Sequence, residues 1–193
     1  MGLRGDANDR ETLAVTAVYI SMVVLGLFAA LAVVVAMRPA DFSIVRTAVM
    51  PVSRAAAFER VNDFHQWEAW SPWAKLDPNM RQTFEGAPRG EGAVYSWNGD
   101  KRVGEGRMTI TESRPNELVR IRLEFIRPFV ATNPTEFAFR QVGDATEVTW
   151  TMRGKNNFMG KAMHLLMNME KLVGTQFEQG LAQMSVAAQA ASR

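Results

Sequence analysis

The pattern of hydrophobic and polar positions changes character once along the chain. From Leu13 to Met37 it runs without a charge or a proline. At ~1.5 Å per residue, a helix over this run extends roughly 37 Å, enough to cross a ~30 Å hydrocarbon core with some tilt. A soluble helix of such length carries a polar stripe, whereas Thr16, Tyr19 and Ser21 are the only polar residues here. A buried core helix and a cleaved signal peptide are the alternatives. The second calls for an apolar stretch of roughly 7–15 residues before a small-x-small site, and Arg38 stands in the nearest such pattern. The reading is a retained transmembrane helix over residues 13–37, with 1–12 as a tail and 38–193 as one domain. Arg4 and Arg10 before the span against Arg38, Arg46 and Arg54 after it leave the orientation undetermined.

Beyond Arg38 the text becomes short alternating runs broken by turn residues. Phe42–Val49 reads as a first strand ending at Pro51, and Ser53 is a suitable N-cap for a helix over Arg54–Asn62. A second short helix is predicted around His65–Trp70. Strand-like runs follow at Arg81–Glu85, Ala93–Trp97, Arg107–Ser113, Leu118–Phe125, Thr135–Gln141 and Glu147–Met152. Turn signals separate them: Gly86-Ala-Pro88, Gly90-Glu-Gly92, Asn98-Gly99-Asp100, Arg114-Pro115-Asn116 and Gly143-Asp144. A single long helix is predicted from Phe158 to Ala190.

Alternation shows which face is dry, because successive strand side chains point to opposite sides. Val119, Ile121, Leu123 and Phe125 share one face, and Arg120, Arg122 and Glu124 the other. Val148, Trp150 and Met152 fall together, as do Phe137 with Phe139 and Met108 with Ile110. The last helix supplies a lid, since Met163, Leu166, Met167, Leu172/Val173, Phe177, Leu181 and Met184 recur at helical spacing. The expected class is α+β, a curved antiparallel sheet of about seven strands gripping a C-terminal helix.

Several segments then become familiar together. They are Trp67-x-x-Trp70-Ser71-Pro72-Trp73 with Lys75-Leu76-Asp77-Pro78, and Gly90-x-Gly92-Ala93-x-Tyr95-x-Trp97-x-Gly99. Gly104-x-Gly106-x-Met108-x-Ile110, Thr146-Glu147-Val148-Thr149-Trp150 and Gly174-x-x-Phe177-x-x-Gly180-Leu181 complete the set. Over residues 42–186 the chain resembles the START-like (SRPBCC, Bet v 1-like) superfamily, in its bacterial polyketide cyclase/dehydrase-like branch. The resemblance implies a helix-grip fold and, with the anchor, a place in the bacterial inner membrane. It implies no single activity, because enzymes, carriers and regulators share that scaffold.

Composition narrows the chemistry. With no cysteine there is no thiolate nucleophile, thiolate zinc site or disulfide framework. His65 and His164 are the two histidines, and neither has a partner at catalytic or metal-ligand spacing. Gly90-Glu-Gly92 and Gly104-Glu-Gly106 are not followed by helices, so they read as turns into strands rather than phosphate loops. Net charge is +2 with no cationic block, which gives no nucleic-acid footprint. No catalytic residue, metal site or cofactor is implied.

What remains is an interior rich in soft and aromatic groups, with 12 methionines in the chain. The candidate cavity-lining residues are Trp97, Met108, Ile110, Ile121, Leu123, Phe125, Phe137, Phe139, Trp150, Met152, Met163, Met167 and Phe177. The alternative for each is plain core filling. Trp67, Trp70 and Trp73 form a gate, dip into the membrane interface where indoles are enriched, or pin the short helices to the sheet. Three functions stay open. The first is a membrane-anchored binding domain for a hydrophobic small molecule or lipid. The second is a non-catalytic assembly subunit that meets other membrane proteins through Gly26, Ala29, Ala30 and Ala32. The third is a cyclase- or aromatase-like enzyme.

Overall fold

The computed structural model describes residues 3–166 and 168–191. An apolar helix, α1 (Leu3–Met37), precedes strand β1 (Asp41–Met50). Helix α2 (Arg54–Asn62) follows, with Ser53 Oγ accepting from the Ala56 N–H, and then a short 3-10 helix over Phe64–Ala69. Six strands come next: β2 (Arg81–Gly86), β3 (Ala93–Asn98), β4 (Glu105–Arg114), β5 (Leu118–Arg127), β6 (Ala131–Val142) and β7 (Ala145–Lys155). The chain closes with α3 (Phe158–Leu166) and α4 (Met169–Ala190). This is the helix-grip architecture that the alternation predicts.

The strands form one antiparallel sheet of order β1-β7-β6-β5-β4-β3-β2. Every neighbour is reached by a hairpin except β1, which closes onto β7. The register slips between Ile110 and Glu112 in β4, and such irregularities bend a strand and deepen the twist. Helix α4 packs along β1 and α2 on the concave side.

Two compact units result, one holding α1 and α3, the other holding the sheet, α2 and α4. In the first, Lys161 Nζ donates to the Ala36 carbonyl at 3.1 Å. Within α1, Val15–Met37 is long and apolar enough to cross a membrane, with 6% of its most apolar window buried.

The single long C-terminal helix is a correction. The apolar stripe runs on through the junction, but Asn168 Oδ1 accepts from the Lys171 N–H at 2.9 Å and starts a separate helix. A capping bond of this kind satisfies an amide that a continuous helix would have bonded internally. Met167 lies outside the described residues, as does the side chain of His164. Leu172, on the expected stripe, is exposed, while Phe177, Leu181 and Met184 are buried.

Candidate functional site

Strand register resolves the concave face into rows. Arg46, Trp150, Phe137 and Val119 lie side by side, as do Ala48, Val148 and Phe139 in the next row. These rows are filled. Trp150 stacks on Phe177 of α4 with centroids 3.9 Å apart and planes 7° from parallel, and on its other side meets Phe137 at 4.7 Å. Trp67 and Trp70 stand edge-on to both Phe137 and Trp150. Phe58 of α2 meets Phe139 edge-on at 5.6 Å. The indole N–H groups of Trp67 and Trp70 donate to the Val61 and Arg60 carbonyls, so both rings pin the 3-10 helix against α2 and the sheet.

Arg46 is the one inward-facing charge in these rows. Its guanidinium pairs with Glu170 at 2.9 Å and Glu178 at 2.6 Å, reaching across Gly174. A Cβ at Gly174 would stand 1.9 Å from Arg46 Nη2. The glycine therefore lets the guanidinium lie flat on the helix.

Toward the start of β1 and the end of β7, the filling thins. Ile44, Met152, Thr135, Ile121 and Ile110 form one more buried row. Past it come Phe42, Gly154, Asn133, Leu123, Met108 and Tyr95, then Phe125, Gly106 and Trp97. Phe42, Tyr95, Trp97, Leu123 and Phe125 are only half-buried. Gly106 and Gly154 contribute no side chain. The ring of Trp97 occupies the space over Gly106, where a Cβ would meet its Cζ2 at 2.3 Å. Trp97 also donates its N–H to the Val103 carbonyl and meets Phe125 edge-on at 6.0 Å.

A few polar groups sit among these apolar walls. Burial, helped by the charge of Glu68, pushes the Tyr95 hydroxyl up to about 12. At neutral pH it keeps its proton and serves as a donor rather than a base. Asn133 is buried, its amide reaching Met152 Sδ at 3.9 Å, and Thr135 Oγ1 donates to the Asn133 carbonyl. The indole nitrogen of Trp150 is buried without a partner. Its Cζ3 edge abuts the Cβ position of Gly180, so the nitrogen, across the indole, faces away from that helix turn.

Of the residues expected to line a cavity, Phe137, Phe139, Trp150 and Phe177 belong to the solid rows. Ile110, Ile121 and Met152 floor the middle, and Trp97, Met108, Leu123 and Phe125 belong to the thinner end. Met163 lies on α3, in the other unit, and Met167 falls outside the described residues. Phe42, Tyr95 and Asn133 escaped the reading of the sequence. The first sits at a strand start and the others are polar residues in strands, but their register with Gly154, Met108 and Leu123 places them on the same wall. His65 stands apart, hydrogen-bonded to Asp63 at 2.9 Å and stacked on Phe84 at 4.1 Å. Arg122 and Glu124 share the convex face, as their alternation predicts, and pair there with each other.

A curved sheet, a gripping helix and an apolar wall between them define a family scaffold, and the family of polyketide cyclases/dehydrases and lipid transport matches residues 41–189. The chain belongs to that family. Among solved structures, this member of the polyketide cyclase/dehydrase and lipid transport family is similar in fold to the protein TTHA0849 from Thermus thermophilus. The two are 15% identical, with a TM-score of 0.56 over 79% of this chain and 100% of that one. The Aha1 dimer from Colwellia psychrerythraea gives 13% identity and a TM-score of 0.56 over 76% of this chain and 96% of that one. Ara h 8.0201 gives 11% and 0.55 over 78% and 99%. At these identities the likeness is one of fold. No match was found among curated proteins.

Proposed function

We propose that the protein is a membrane-anchored binding domain for a hydrophobic small molecule or lipid. The observation that carries this reading is the half-buried end of the concave face, where Phe42, Tyr95, Trp97, Leu123 and Phe125 keep part of their surface uncovered. Burying a guest there is favoured by ~25 cal/mol per Å² of apolar surface removed from water. Tyr95, on the same wall as Met108 and Leu123, is a donor that orients an acceptor on the guest. Membership of a family that includes lipid transport supports the ligand class. The exposed apolar length of Val15–Met37 supports anchoring over a core helix, and its extent exceeds that of a signal-peptide apolar stretch.

Tethering keeps the apolar wall near the phase into which such ligands partition. The test is native mass spectrometry and lipid extraction of the full chain purified in mild detergent, beside a chain lacking residues 1–37. A reproducible apolar adduct on the folded domain is the expected result, reduced in Phe125→Asp. Empty protein over repeated preparations sinks the reading. It would leave a ligand-free assembly subunit, the reading favoured by the solid packing of Trp67, Trp70, Trp150 and Phe177.

A further inference from the structure

The two ends of the sheet present different surfaces. At one end the turns between strands are Ala87-Pro88-Arg89-Gly90-Glu91-Gly92, Pro115-Asn116-Glu117 and Gly143-Asp144, polar or small apart from one proline each in the first two. At the other end the β5–β6 hairpin carries Ile126, Phe129 and Val130, which are 48%, 62% and 82% exposed. Apolar side chains this exposed at a hairpin tip gain nothing from the fold, and a cluster of them marks an interaction surface.

The base of this tip is braced. Arg127 pairs with Glu105 at 2.6 Å and donates to Asn98 Oδ1 at 2.9 Å. Gly104, at φ +67°, brings the β3–β4 turn so close that a Cβ there would stand 2.3 Å from the Arg127 carbonyl. The polar residue at the tip's base is thus tied to Glu105 and Asn98, while Phe129 and Val130 have no such partner and are exposed.

Covalent connection says what lies beyond them. The β5–β6 tip projects from the end of the sheet at which β1 begins and β7 finishes, since Asp41 pairs with Lys155 and Phe125 with Ala131. Only Arg38, Pro39 and Ala40 separate Asp41 from Met37, the last residue of the apolar helix. Even fully extended, that link reaches roughly 14 Å. The end of the sheet carrying the tip is therefore tied within a short distance of wherever the apolar helix leaves the bilayer, and the polar turns are not.

We infer that Phe129 and Val130 dip into the interface of the bilayer that the apolar helix crosses, holding the open end of the concave face toward lipid. The inference rests on the anchoring proposed above and adds the domain's orientation on the membrane. Its occupant is a lipid surface, and its consequence is that a guest passes between bilayer and apolar wall without a step through bulk water.

The absence of cysteine from the chain allows a direct test. Single-cysteine full-length chains, Val130→Cys, Phe129→Cys, Leu25→Cys and Asp144→Cys, are labelled with an environment-sensitive fluorophore. They are reconstituted in phosphatidylcholine/phosphatidylglycerol vesicles containing an acyl-chain quencher. Strong quenching at Leu25→Cys, with quenching at Val130→Cys and Phe129→Cys several-fold above that at Asp144→Cys, is the expected result. Quenching at Leu25→Cys with the tip no different from Asp144→Cys overturns the orientation and leaves the anchor standing. No quenching at Leu25→Cys overturns both. Circular dichroism matching the parent chain shows that each variant is folded, and Val130, the most exposed of the tip residues, is the site least able to disturb it.

Discussion

The two halves of the concave face are built from the same strands and yet solve different problems. In the half under α4, rings meet rings, with Trp150 sandwiched between Phe177 and Phe137 and flanked edge-on by Trp67 and Trp70. In the half near the start of β1, the rings of Trp97 and Phe42 lie over two wall glycines, and five large residues keep part of their surface. One half is a core in the ordinary sense, close-packed and intolerant of lost volume. The other is a wall without a complete filling. The contrast teaches that a grip fold can hold itself together with half of its concavity and reserve the rest.

Substitutions can break or sharpen that division. The largest effect is expected at Trp150→Ala, which empties the centre of the packed half and should cost about 3–5 kcal/mol, read by chemical denaturation of the detergent-solubilised chain. A loss below about 1 kcal/mol would show that this half is not close-packed. Gly106→Val forces Trp97 off its seat and also crowds the Glu124 carbonyl. The expected cost is about 1–3 kcal/mol, with a change in tryptophan emission as Trp97 moves. Phe125→Ala, at the thin end, should cost only about 1–2 kcal/mol while lowering the yield of bound apolar adduct far more than Trp150→Phe does.

A smaller effect is expected in alkali. Because folding raises Tyr95 from 10.0 to about 12, the fold favours its protonated form. That contribution is fully present below the ordinary tyrosine value and is lost as pH rises through about 12. Tyr95→Phe should therefore flatten the pH dependence of stability over that window, measured by thermal unfolding. An unchanged slope would mean that the hydroxyl is as wet in the folded chain as in the unfolded one.

Much of this was legible in the sequence for a simple reason. Period-two alternation such as Val119, Ile121, Leu123 and Phe125 against Arg120, Arg122 and Glu124 survives only when one face is dry, so it names the wall directly. It says nothing about depth. Phe137 and Phe125 alternate identically, but one is sealed and the other half-open, and that difference is made by Trp67 and Trp70 arriving from a distant segment. The apolar stripe carried across residues 163–173 also hid the break before α4, because a single capping bond at Asn168 leaves no mark on periodicity. Arg46 defeated the rule outright: it occupies an inward position because Gly174, far away in the chain, leaves room for its guanidinium.

That last arrangement sets how the lid is fastened. The C-terminal turns of α4 are riveted by oil, through Phe177, Leu181, Met184 and Ala188. The first turn before them is fastened by the ionic contact of Arg46 with Glu170, while its second contact, with Glu178 across Gly174, sits beside Phe177. Screening by salt weakens exposed ion pairs and leaves burial of apolar surface in place, so a rising ionic strength loosens this helix like a hinged cover, its leading end first and its trailing end last.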